Sequence, residues 1–104
     1  MKDFNELLQE LKDAGLQLAK DEFKDYYEKS KQAIEEFFES SKDKLEQWSI
    51  ALATGNINGN EFKMLLQSEK DLFTLELLKQ AGLKQIRINK FKDQLIDLIV
   101  DKLE

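Results

Sequence analysis

The chain has no cysteine, no histidine and no proline, and only four glycines among its 104 residues. Without cysteine there is no disulfide framework, no thiolate nucleophile and no zinc ribbon. Without histidine the commonest general base and transition-metal ligand are gone, along with every Ser-His or Cys-His pair and the Glu-x-x-His motif of di-iron bundles. Long apolar runs are missing too. No stretch approaches the roughly 18 residues of a membrane-spanning helix, and the opening Met1-Lys2-Asp3-Phe4 leads into a charged stretch, not a secretory leader. No glycine-rich phosphate loop can be written. These absences point away from an enzyme; no cofactor or metal is expected, and a cytoplasmic address is the default.

What is present favours helix. At 41% hydrophobic and 36% charged, the composition lies far from that of a disordered chain, and the length suits one helical domain spanning 1–104. The net charge of −5 is unevenly placed. Residues 1–54 carry thirteen acids against eight lysines, whereas 55–104 carry eight of each sign. No acid stands between Glu76 and Asp93, so Lys79, Lys84, Arg87, Lys90 and Lys92 form the one basic patch.

The first half repeats every eleven residues. Phe4, Gly15, Tyr26, Phe37 and Trp48 form one row, Phe23, Ile34 and Leu45 a second, and Leu8, Ala19, Ser30, Ser41 and Leu52 a third. An eleven-residue repeat keeps one face of a nearly straight α-helix in phase. With no breaker other than Gly15, a single helix over about 3–54 is expected, roughly 75 Å long.

A turn follows at 55–58. Gly55 stands where a helix C-terminus takes a left-handed residue, and Asn58 stands where the next helix takes its N-cap. Glu61 completes a capping-box spacing, and Ile57 with Phe62 a hydrophobic staple. The segment Gly55, Ile57, Glu61, Phe62 also resembles the second half of a calcium-binding EF-hand. The positions that would supply the leading oxygen ligands are Ile50 and Leu52, so most of a calcium shell is missing and capping accounts for the pattern.

The second half reads as a helix over about 59–103. Phe62, Leu66, Phe73, Leu77, Ala81, Ile88, Phe91, Leu95 and Leu98 share one face, and that face stays in phase across Gly82. We therefore expect the helix to continue through the glycine. The alternative is a kink or break at 82–88, with Gly82 as a C-terminal cap, Leu83 as its hydrophobic contact and a third helix beginning near Asn89.

Two long helices joined by a short loop make an antiparallel hairpin. Facing residue numbers then sum to about 112, which places the basic stretch opposite Asp21, Glu22, Asp25 and Glu28. The second helix carries a further apolar row on its other side: Met64, Leu75, Leu78, Ile86, Ile96 and Val100. At roughly 1.5 to 3 kcal/mol per large side chain this row needs cover. Self-association into a four-helix bundle, a homodimer of hairpins, is the simplest expectation; a folded-back third helix and a membrane surface are the alternatives.

The acid clusters Glu35, Glu36, Glu39 and Asp21, Glu22, Asp25 read as solvated helix faces, and the aromatic row reads as core. Nucleic-acid binding would rest on Lys79 to Lys92 alone, a small footprint beside an acidic half. Eleven-residue amphipathic repeats resemble those of exchangeable apolipoproteins and synucleins, a resemblance that implies lipid-surface binding; the acidic polar face of the first half gives anionic membranes little to attract. The expected function is a non-catalytic helical interaction or structural module with a protein partner, the alternative an amphipathic membrane-surface protein.

Overall fold

The computed structural model describes residues 3–69, 78–80 and 82–103. Among them the fold is all-α, with α1 Phe4–Glu22, a short 3₁₀ turn Lys24–Tyr26, α2 Tyr27–Ala53, α3 Gly59–Gln67 and α4 Gln85–Leu103. Helix α1 packs on α2 and α4, and α4 also packs on α3. The molecule measures 42 × 24 × 20 Å.

The expected single helix over 3–54 is broken at Phe23, where neither glycine nor proline marks the place. Asp3 caps the start of α1, its Oδ1 accepting the Glu6 N–H at 2.9 Å. At the other end the Phe23 N–H still bonds the Ala19 carbonyl at 2.7 Å, but Phe23 itself leaves helical geometry at φ −125°, ψ 53°. The Tyr26 N–H then closes a tight turn on the Phe23 carbonyl, and α2 sets off in a new direction. Packing is the physical reason. A rod tens of ångströms long covers one stripe, whereas a folded-back α1 presents Leu8, Leu11, Gly15 and Ala19 to two neighbours at once. Phe23 becomes core, its ring centroid 4.8 Å from that of Phe91.

The eleven-residue rows survive the break. Gly15, Phe37, Phe23, Ile34, Leu45, Leu8, Ala19, Ser30 and Ser41 are all buried, while Phe4, Tyr26, Trp48 and Leu52 pack half-buried on the core. The register also survives. Glu22 with Arg87, Phe23 with Phe91, Lys44 with Glu69 and Trp48 with Phe62 all meet with numbers summing close to 112.

The turn at 55–58 is as the capping residues require. Gly55 takes φ +81°. Its N–H bonds the Leu52 carbonyl at 3.3 Å and the Asn56 N–H bonds that of Ala51 at 2.8 Å, the paired bonds of a Schellman motif. The capping box is complete, with Asn58 Oδ1 accepting the Glu61 N–H at 2.8 Å and Glu61 Oε1 accepting the Asn58 N–H at 3.1 Å.

The expected helix over 59–103 stops first at Gln67, with Ser68 as the C-cap of α3, and at Gly82 the structure again takes the break and not the continuous helix. The glycine sits at φ +107°; its N–H bonds the Lys79 carbonyl and the Leu83 N–H that of Leu78, each at 3.1 Å, repeating the Schellman pattern. Leu78 and Leu83 are both buried, as its hydrophobic contact requires. Helix α4 starts at Gln85, slightly earlier than the Asn89 of the alternative reading. Its inward face buries Ile88, Phe91, Leu95, Ile96 and Ile99. The wheel positions Phe62 and Leu66 are buried and Leu98 is half-buried; Phe73, Leu77 and Ala81 lie outside the described residues.

Candidate interaction surface

The second apolar row does not form one association face. Leu78 and Ile96 are 2% and 3% exposed and belong to the core, and Val100 packs half-buried against it. The reason is that the second half is not one helix: α3 ends at Gln67 and α4 starts only at Gln85, so the row has no single common face. Leu75 lies outside the described residues. Met64 and Ile86 remain, 67% and 76% exposed, on two different helices.

Met64 stands on the outer side of α3. That helix is short and sits with Phe62 and Leu66 buried, anchored by the edge-on contact of Phe62 with Trp48 and by the Lys63–Asp97 ion pair to α4 at 3.2 Å. The opposite side, together with the half-buried Ile57 from the turn, forms an open groove of about 430 Å³ lined by Ile57, Glu61, Met64, Leu65 and Ser68. Residues Glu61, Met64, Leu65 and Ser68 follow one another at helical spacing, so a single helix face carries the groove. Its wall is mostly hydrocarbon. The sequence placed Met64 on an outward apolar row; it did not place Ile57 and Leu65 beside it, since their neighbourhood depends on how the capped turn docks.

The basic patch is only partly free. Arg87 donates from Nη2 to the Glu22 carbonyl at 2.6 Å and lies over the Phe23 ring at 5.5 Å. Lys90 stands 4.0 Å from the Glu22 carboxylate. Expected charge matching between the two halves is therefore met at Glu22 by Lys90, while Arg87 holds the backbone of the same residue. Lys79 and Lys84 are exposed, as is Ile86, and Lys92 is half-buried.

The acid cluster of α2 faces water along the α1–α2 seam. Lys12 stands 3.6 Å from Glu39, and Gln32 donates to Glu36 at 3.4 Å, in a shallow depression also lined by Glu35 and Ser40. Exposed pairs of this kind stabilise by well under about 1 kcal/mol. One acid is different: Glu69, two residues past the end of α3, has a side chain 3% exposed and receives Lys44 at 3.0 Å, tying this segment to α2. Among the described residues no group of three or more metal-ligating side chains comes together, and no helix is long and apolar enough to cross a membrane.

Compared with family models, with curated proteins and with solved structures, the chain finds no match.

Proposed function

We propose that this chain is a non-catalytic interaction module that pairs with a second copy of itself through the outer face of α3. The observation that carries the reading is Met64, 67% exposed at the edge of an apolar groove. An exposed apolar face with a concave centre is the usual mark of a contact surface. Methionine is unbranched and polarisable, suited to filling an irregular gap. A two-fold arrangement makes the groove self-complementary, because each copy offers the methionine that the other's groove accepts. Burying both Met64 side chains would contribute roughly 1.5 to 3 kcal/mol each before the cost of association.

Analytical ultracentrifugation of the parent and of Met64→Lys tests this. The parent is expected to sediment as a concentration-dependent dimer and the variant as a monomer, with unchanged helical circular dichroism. A parent that sediments as one chain at every concentration overturns the proposal.

A second reading, a peripheral contact with an anionic lipid surface, is favoured by Ile86, 76% exposed in the same stretch of sequence as the exposed Lys79 and Lys84. The same sedimentation run with anionic and with neutral vesicles separates the two. Pelleting with anionic vesicles alone supports the lipid reading, and no pelleting with either excludes it.

A further inference from the structure

The turn between α2 and α3 and the first residues of α3 contain three asparagines, Asn56, Asn58 and Asn60. Of these only Asn58 is followed by glycine. A backbone nitrogen can close on the preceding side-chain amide carbon most freely where the residue that carries it has no Cβ. Asn58 is exposed, and Gly59 opens α3 as its first helical residue, a position whose N–H has no acceptor within the helix. The nucleophile is thus not locked into the helical ladder.

The folded geometry nevertheless holds the two groups apart. Asn58 sits at ψ 176°, which sets its own nitrogen anti to that of Gly59 and leaves Cβ staggered from the Gly59 nitrogen. A planar five-membered ring through these atoms requires Cβ and the Gly59 nitrogen to eclipse. The capping box fixes the side chain as well, since Oδ1 is held by the Glu61 N–H while the Glu61 carboxylate holds the Asn58 N–H.

We propose that Asn58–Gly59 is a site of spontaneous covalent modification and that the capping box is its gate. When the box opens, the Gly59 nitrogen attacks Asn58 Cγ. The bond from Cγ to the side-chain nitrogen breaks, the Gly59 N–H proton is transferred to that nitrogen through water, and ammonia leaves a succinimide. Water then adds to one ring carbonyl. Cleavage between the Gly59 nitrogen and Cγ gives aspartate; cleavage between that nitrogen and the Asn58 backbone carbonyl carbon gives isoaspartate. Water is the one co-reactant, and no atom changes oxidation state. Aspartate keeps an acceptor at the N-cap and adds a charge that the helix N-terminus favours. Isoaspartate inserts an extra backbone carbon before Gly59, moves the acceptor off the Glu61 N–H and uncaps α3.

The test is incubation of the intact chain in mildly alkaline buffer, followed by peptide mass mapping with an isoaspartate-specific methyltransferase. The three asparagines fall between Lys44 and Lys63, so one tryptic peptide compares them internally. Conversion is expected at Asn58 ahead of Asn56 and Asn60, and Gly59→Ala is expected to remove that lead. Glu61→Ala is expected to speed conversion about fivefold, the population change that loss of one capping contact allows. Glu61→Gln, which keeps the reach back to the Asn58 N–H, should stay near the parent rate. Equal conversion at all three asparagines overturns the site. A rate indifferent to Glu61→Ala, or raised as much by Glu61→Gln, overturns the gate.

Discussion

Gly15 lies where α1 packs against both α2 and α4. A methyl group there would stand 3.2 Å from Leu95 Cδ1 and 3.3 Å from Phe38 Cε2, with Ile34 Cγ2 at 3.7 Å. Alanine gains about 1 kcal/mol of helix propensity over glycine, but the neighbouring side chains must yield by a few tenths of an ångström. We expect Gly15→Ala to fall within about 1 kcal/mol of the parent and Gly15→Leu, which overpacks the junction, to cost about 3 kcal/mol. Urea denaturation with a common slope measures both, and an unchanged midpoint for Gly15→Leu would show that the helices do not meet there. At this scale the sequence is informative about burial. Its eleven-residue rows pick out even Ser30 and Ser41, which are fully buried; Ser30 satisfies its hydroxyl on the Tyr27 carbonyl at 2.8 Å. The special role of Gly15 stays hidden, because which partners press on it is decided by residues far away in the chain.

The element scale shows the sharpest contrast between what is locally encoded and what is not. The turn at 55–58 is specified by its own residues, each cap satisfying a backbone group within a few positions, and so it is legible. The break at Phe23 has no such chemistry: its helix propensity is ordinary, and only the gain from packing α1 on two neighbours ends the helix there. Gly82 is intermediate, since the same residue serves a continuous helix or a cap. Its backbone now permits a direct test. At φ +107° an alanine is strained, and its Cβ would also meet the Tyr26 hydroxyl at 3.3 Å; Gly55, at φ +81°, has nothing within 4 Å of the same position. Gly82→Ala is therefore expected to cost about 2 kcal/mol and Gly55→Ala about 1 kcal/mol. Thermal unfolding of the two variants checks the order, and adding Tyr26→Phe should narrow the gap between them. A larger loss at Gly55 would contradict the assignment.

At the scale of the whole molecule, the candidate surface was legible only in part. Sequence periodicity detects an apolar side chain that one partner helix cannot cover, but it does not say whether the rest of the chain will fold over it. Ile96 and Leu78 went inside, and Met64 and Ile86 stayed outside. The overall shape gives a direct measurement. X-ray scattering from Met64→Lys, the variant designed to be monomeric, should give a radius of gyration close to 13.5 Å, where a long unbroken hairpin would give a far more extended profile. One contact carries this compactness further. Arg87 donates to the Glu22 carbonyl where α1 stops, and its guanidinium lies over Phe23. The corner in the first half is thus clasped by an arm that arrives 65 residues later. The bend between α1 and α2 is fastened by a residue of α4, and its full set of contacts exists only once α4 is in place.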